Sequence, residues 1–103
     1  MKIIGVTACP TGIAHTYMAQ EVLEGELKKR GIAYKIETQG SIGIENELSA
    51  KDIADADVVI LAVSIMIEGE ERFEDKPVLR ASVDRAISDV KKLVDEAIAL
   101  VEA

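Results

Sequence analysis

Several residue types that mark common functional classes are scarce in this chain. Its 103 residues include one cysteine (Cys9), no tryptophan and only three aromatic residues, Tyr17, Tyr34 and Phe73. A single cysteine excludes an internal disulfide, a CxxC redox pair and a thiolate zinc cluster. No aromatic side chain lies in a basic stretch, so the sequence has no base-stacking surface for nucleic acid.

Long hydrophobic runs and excess positive charge are absent as well. The run from Val58 to Val63 is far shorter than the ~20 residues of a membrane helix. The start, Met1 to Gly5, looks like a strand and carries no signal-peptide pattern, which predicts a cytoplasmic protein. Nineteen acidic and twelve basic residues give a net charge of −7. This charge disfavours binding to a phosphate backbone, so we expect no nucleic-acid partner.

Apolar strand-like segments alternate with segments of helical period. Strands are predicted over 2–8, 32–38, 57–63 and 77–80. Helices are predicted over 14–30, over 49–55 behind a capping box of Ser49 and Asp52, and over 83–101. Residues 39–48 are predicted to be mostly loop, and 64–76 an acidic loop with a helical turn near 70–73. The pattern predicts one α/β domain over residues 1–103, with a Rossmann-like, four-stranded parallel sheet in the order 2-1-3-4 and helices on both faces.

A turn with the composition of a phosphate-binding loop follows the first predicted strand. In a sheet of this order, ligands bind beyond the carboxyl end of strand one. Backbone N–H groups and the dipole of the following helix would stabilise a thiolate at Cys9, or a phosphoryl group on its sulfur. Thr11 and Thr16 add hydroxyl donors, and Gly12 lets the backbone approach closely. The candidate site residues are Cys9, Pro10, Thr11, Gly12, Ile13, Ala14, His15 and Thr16.

Other interpretations of this turn are open on the residues alone. Cys9 is an inert packing residue in one of them. The turn lacks the Gly-Lys-Ser/Thr ending of a Walker A loop and the spaced glycines of a dinucleotide fingerprint. A cysteine-dependent phosphatase needs an arginine six residues after the thiol, where this chain has His15. The missing arginine favours a phosphoryl carrier, with a low-molecular-weight phosphatase-like enzyme or a non-catalytic phosphate- or partner-binding module as alternatives.

Nearly the whole chain resembles the fructose-family enzyme IIB component (type 2) of the phosphoenolpyruvate-dependent sugar phosphotransferase system. The resemblance rests on four segments: VTACPTGIAHTYMA (6–19), ETQGSIGIEN (37–46), ADVVILA (56–62) and ERFEDKPVLR (71–80). It implies that Cys9 accepts a phosphoryl group from a phosphohistidine of the IIA component. Cys9 would then pass the group to a sugar, fructose or a related hexose, at the membrane IIC component. The partner IIC would hold the protein at the inner membrane, and no metal or organic cofactor is expected.

One position departs from the family pattern. Fructose-family members usually have an aspartate shortly after the third predicted strand, where this chain has Ser64. The change leaves the chemistry of Cys9 as expected and concerns the choice of sugar and the contacts with partners.

Four further positions are candidates for the rim of the site. Gln39, Gly40 and Ser41 follow the second predicted strand and Ser64 the third, so their loops leave the sheet at the edge of Cys9. They either line the site or meet a partner, or they are ordinary turn residues. The only histidine, His15, supports the loop, accepts phosphate itself or has a structural role.

Overall fold

The computed structural model describes residues 1–9, 13–40 and 43–102, and strands alternate with helices along this length. The strands are β1 (Lys2–Ala8), β2 (Ala33–Gly40), β3 (Gly43–Glu45), β4 (Val58–Val63) and β5 (Val78–Ala81). The helices are α1 (Ile13–Lys29), α2 (Ala50–Asp55), α3 (Val83–Ser88) and α4 (Val90–Glu102), and a 3-10 turn spans Glu70–Phe73. The α/β class and the helical turn near residue 70 are confirmed.

The sheet has five strands in the order β3-β2-β1-β4-β5. β1 pairs in parallel with β2 and with β4, and β4 pairs in parallel with β5. The predicted order is therefore confirmed for the parallel strands. The predicted count of four is wrong, because β3 pairs antiparallel with β2 and makes the sheet mixed.

β3 lies in the segment that was predicted to be mostly loop, and it displaces β2 from the predicted edge position. All three of its residues are exposed. A strand this short, with no buried side chain, shows no alternation of polar and apolar residues by which it can be recognised. Gly43 opens it with φ 107°, a conformation that favours glycine.

Helices cover both faces of the sheet, as predicted. On one face, α1, α3 and α4 pack on alternate strand residues such as Ile3, Ile36 and Ile60. On the other face, Val6 and Leu61 pack with Leu48, which precedes α2, with Ile53 of α2 and with Phe73 of the 3-10 turn. Every residue of β4 is buried, as expected for a central strand covered on both sides.

The predicted caps of the first two helices are present. After α1, Gly31 has φ 71°, and the N–H of Ile32 donates to the carbonyl of Leu27 at 3.0 Å, as in a Schellman motif. At α2, Ser49 Oγ accepts from the N–H of Asp52, and the Asp52 carboxylate accepts from the N–H of Ser49. Both helices therefore end or begin where the sequence predicts within a residue or two.

The single helix predicted over 83–101 is wrong, because the chain forms α3 and α4 with a break at Asp89. Asp89 has φ −140° and ψ 41°, outside the helical region. Its N–H still donates to the carbonyl of Arg85, and its carbonyl accepts from the N–H of Leu93. Both helices bury their apolar residues in the same core, so the apolar period passes through the break without a visible change.

Candidate functional site

Cys9 directly follows β1 at the carboxyl edge of the parallel strands. At this edge Ala8 pairs with Gln39 of β2 on one side and with Val63 of β4 on the other. The chain leaves β1 through α1 towards β2, whereas β4 lies on the opposite side of β1. Cys9 thus stands where the strand order reverses, the position at which open α/β sheets bind ligands.

The side chain of Cys9 is partly buried. It packs against the core formed with α1, α3 and α4, yet it keeps some exposure to solvent. An inert core cysteine is usually enclosed completely, whereas a reactive one needs access for its partner.

The helix after the turn is tied directly to β1. α1 begins at Ile13, and Thr7 Oγ1 in β1 donates to the carbonyl of Thr16 at 3.1 Å in a buried hydrogen bond. This bond holds the first turn of α1 against the strand end that carries Cys9. The role of Thr7 was missed, although a hydroxyl inside the apolar run KIIGVTA is a signal that a search for polar residues in buried strands finds.

Thr16 has an unusual environment. Its side chain is 2% exposed, and its Oγ1 is buried without a hydrogen-bond partner in the part of the chain that the structure describes. Leaving a buried hydroxyl unpaired costs free energy, about 1–3 kcal/mol. The first turn of α1 therefore holds a buried hydroxyl with unused hydrogen-bonding capacity.

The other candidates in the turn are only partly visible. Pro10, Thr11 and Gly12 lie outside the described residues. Ala14 and His15 are exposed on the first turn of α1. His15 therefore stands at the surface, at the end of α1 that follows the Cys9 turn.

Ser64 and Gly40 lie at the same edge of the sheet as Cys9. Ser64 follows β4 beside Cys9, because its N–H donates to the carbonyl of Ala8 at 2.9 Å. Its Oγ accepts from the N–H of Val83 at 3.4 Å, so the hydroxyl also contacts the start of α3. Gly40 ends β2 at the same edge, and Ser41 lies outside the described residues.

Gln39 does not point freely into the site, because it is 8% exposed and its amide is fully engaged. Its Oε1 accepts from the N–H of Glu68 at 2.8 Å, and its Nε2 donates to the Glu68 carbonyl at 2.9 Å and to Glu37 Oε2 at 2.8 Å. The side chain of Gln39 therefore links β2 to the loop after β4.

A buried ion pair lies next to this tie and was not predicted. Glu37 of β2 is fully buried, and its two carboxylate oxygens accept from Arg72 Nη1 and Nη2, each at 3.0 Å. Burial by itself raises the pKa of Glu37, but the hydrogen bonds from Arg72, Gln39 and the N–H of Leu48 outweigh it and hold the pKa below its ordinary value. Glu37 is therefore a carboxylate at neutral pH.

The described part of the chain contains neither a metal-binding cluster nor a membrane-spanning helix. Within residues 1–9, 13–40 and 43–102, no three histidine, cysteine, aspartate or glutamate side chains cluster as a metal site. None of the helices in these ranges is long and apolar enough to cross a membrane.

Comparisons with known proteins agree with this geometry. Residues 4–96 match the family described as "PTS system, Lactose/Cellobiose specific IIB subunit". The chain is 54% identical over 102 residues to the PTS system fructose-like EIIB component 2 of Escherichia coli, covering 99% of this chain and 92% of that protein. It is 45% identical over 96 residues to the PTS system fructose-specific EIIABC component of Bacillus subtilis, covering 93% of this chain and 15% of that protein.

A solved structure has the same fold. A domain of the fructose-specific IIABC component of Borrelia burgdorferi superposes with a TM-score of 0.91 at 49% identity, covering 95% of this chain and 93% of that domain. Sequence, fold and the edge occupied by Cys9 thus lead to one conclusion: the chain belongs to the IIB family of the sugar phosphotransferase system, and it is a fructose-like IIB component.

Proposed function

We propose that Cys9 is the phosphoryl carrier of this IIB component. The Cys9 thiolate attacks the phosphorus of a phosphohistidine on a IIA component, so that an S–P bond forms and the P–N bond breaks. The imidazole leaves and takes up a proton. A sugar hydroxyl then attacks the phosphorus, the S–P bond breaks, the thiolate is regenerated and the hydroxyl proton passes to a base.

The observation that carries this proposal is the position of Cys9. It is partly exposed at the end of β1, where the strand order reverses, and the first turn of α1 is held to the same strand by Thr7 and Thr16. N–H groups in the first turn of a helix have no partner within the helix and carry partial positive charge, which favours a phosphoryl dianion. Catalysis would consist mostly of positioning and charge stabilisation.

The remaining turn residues belong to the proposal as a phosphate-binding loop. Pro10, Thr11 and Gly12 with Ile13, Ala14, His15 and Thr16 would offer backbone N–H groups, and the unpaired Oγ1 of Thr16 would donate to a phosphoryl oxygen. Ser64 beside Cys9 would form the opposite rim.

The proposed partners are a phosphorylated IIA component and a membrane IIC component. Relatives whose names join the components, such as the fructose-specific EIIABC component of Bacillus subtilis, support this pairing. The names of the relatives favour fructose or a related hexose as the sugar, whereas the matched family's description names lactose and cellobiose. A cytoplasmic location, at the inner membrane through IIC, follows from these partners, with residues 1–103 acting as one IIB domain.

The proposal is tested by phosphoryl transfer from a radiolabelled, phosphorylated fructose-type IIA domain. The wild-type chain is expected to take up about one label per molecule, and Cys9→Ser none. His15→Ala is expected to reach the same final labelling, because His15 supports the reaction and does not accept the group. Label that is kept by Cys9→Ser and lost by His15→Ala would assign the phosphoryl group to His15 instead.

Two controls separate the alternative functions. Rapid hydrolysis of a generic phosphomonoester by the isolated wild-type chain would favour a phosphatase-like enzyme. Absence of any adduct with a donor that labels another fructose-type IIB domain would leave a non-catalytic binding module.

A further inference from the structure

The loop after β4 is placed beside Cys9 by its first residue and held at its far end by a buried polar network. We call residues 64–69 the 64–69 loop. At its start, the N–H of Ser64 donates to the carbonyl of Ala8, the residue before Cys9. At its end, Glu68 and Gly69 contact side chains that come from β2 and from the 3-10 turn.

Apolar packing does little to hold the middle of this loop. Met66 is 95% exposed and Ile65 is 40% exposed. Ile67 packs partly against the core that contains Phe73. The position of the loop thus depends heavily on polar contacts at its end.

Gln39 supplies a two-sided tie at that end. The N–H of Glu68 donates to Gln39 Oε1 at 2.8 Å, and Gln39 Nε2 donates to the Glu68 carbonyl at 2.9 Å. A side-chain amide bonded in this way pairs with the loop backbone much as a neighbouring strand would. Gln39 pairs with Ala8, the last residue of β1, in the register of β1 and β2. The bonds between Gln39 and Glu68 therefore connect β2 with the loop after β4 across the end of β1, which Cys9 follows.

Arg72 holds the same backbone from the other side. Its Nε donates to the carbonyl of Gly69 at 2.6 Å and its Nη2 to the carbonyl of Glu68 at 3.3 Å. The guanidinium is itself fixed by its two bonds to the buried Glu37 and by its place over the Phe73 ring, 4.8 Å from the ring centre. Gly69 has φ 75°, so the loop turns back here in a left-handed conformation.

From these contacts we infer that Glu37, Gln39 and Arg72 are positioning residues for the site of Cys9. They fix the end of the 64–69 loop, whose first residue hydrogen-bonds to Ala8 next to Cys9, and through that loop they set how easily reagents and partners reach the sulfur. The inference deepens the proposed function and rests on it for the effect on phosphoryl transfer. The part of the inference that concerns access to Cys9 does not depend on that function.

The test uses Gln39→Met, which keeps the side-chain length and removes both bonds to Glu68 and the one to Glu37, while Glu37 keeps its two bonds from Arg72. Arg72→Lys is the second variant, because lysine keeps the charge beside Glu37 but loses the planar fork that reaches the loop carbonyls. Arg30→Met is the matched control. Arg30 also pairs with carboxylates, on Glu26 and Asp95, but follows the opposite end of α1 from Cys9.

Three readouts are compared at a temperature where circular dichroism shows every variant folded. They are amide exchange of the Glu68 N–H, the rate of Cys9 alkylation by iodoacetamide, and the rate constant of phosphoryl transfer at saturating IIA donor. For Gln39→Met and Arg72→Lys we expect faster exchange, alkylation about tenfold faster and transfer about tenfold slower. Arg30→Met is expected to match the wild-type chain in all three.

Alkylation and transfer rates that equal the wild type in the folded Gln39→Met variant would overturn the inference, and so would unchanged exchange of the Glu68 N–H. A purely structural role would lower the melting temperature without these changes. A wild-type chain that takes no phosphate, combined with faster alkylation of Gln39→Met, would refute the proposed function and leave the positioning role standing.

Discussion

At the scale of single residues, the sequence points to the proposed phosphoryl acceptor better than to the groups that surround it. Cys9 was located from its place before a glycine-containing turn, and the structure puts it at the carboxyl edge of β1. The pairing of Glu37 with Arg72 joins residues 35 positions apart. Only the fold brings such residues together, although both lie in segments, ETQG and ERFEDKP, that the family resemblance had marked.

The buried charge of Glu37 leads to a prediction about acid stability. Because the pKa of Glu37 is lower in the folded chain than in the unfolded one, its contribution to stability is complete above its ordinary pKa of 4.5 and is lost as the pH falls through the folded pKa. The free energy of unfolding of the wild-type chain should therefore decrease as the pH falls below the ordinary pKa of a glutamate.

Glu37→Gln should be less stable than wild type at neutral pH by about 2–3 kcal/mol, and its stability should fall less steeply in acid. Urea unfolding over a pH series measures both effects. Glu21→Gln, on the exposed surface of α1, is the control and should follow the wild-type curve. An acid profile of Glu37→Gln as steep as that of wild type would contradict the lowered pKa.

At the scale of elements, the sequence predicted the helix caps correctly, but it did not predict the short strand β3 or the break between α3 and α4. The capping box of α2 and the glycine after α1 are encoded within a few residues and were found from the sequence. β3 is three exposed residues long and depends on pairing with β2. The break at Asp89 leaves the apolar period of α3 and α4 intact, so periodicity does not reveal it.

The capping box gives a prediction for α2. Ser49→Ala removes the hydroxyl that accepts from the N–H of Asp52, and it should lower the free energy of unfolding by about 1 kcal/mol. Ser88→Ala, which replaces an exposed serine near the end of α3, should change it by less than about 0.5 kcal/mol. Urea unfolding measures both, and equal effects of the two substitutions would show that the cap contributes nothing of its own.

Gly5 of β1 and Gly25 of α1 differ in the space that surrounds them, and a substitution by alanine at each position tests this difference. A Cβ at Gly5 would lie 2.9 Å from the carbonyl oxygen of Ile60 and 3.1 Å from Ile36 Cδ1, so Gly5→Ala must push β1 and β4 apart. A Cβ at Gly25 would meet nothing within 4 Å, and alanine favours a helix over glycine by about 0.5–1 kcal/mol.

Thermal unfolding should therefore show a lower melting temperature for Gly5→Ala and a higher one for Gly25→Ala. The substitution is the same in both, so the change in the unfolded chain is matched. A melting temperature of Gly5→Ala at or above that of wild type would mean that the central strands have more room than the structure shows.

At the scale of the whole molecule, the arrangement of strands determines where chemistry can take place. The order of the four parallel strands followed from the alternation of strands and helices, and it correctly placed Cys9 where the order reverses. The surroundings of Cys9 were predictable only in part. Ser64 was a candidate because it directly follows β4, whereas the network that holds the 64–69 loop depends on contacts across the sheet.

The central claim is that this one sulfur carries the phosphoryl group. The most direct measurement is fragmentation mass spectrometry of the chain after incubation with phosphorylated IIA donor, under conditions that preserve S–P bonds. We predict one added phosphoryl group, located on Cys9 and absent from Cys9→Ser. A phosphoryl group on any other residue, or none with a donor that labels another fructose-type IIB domain, would contradict the account.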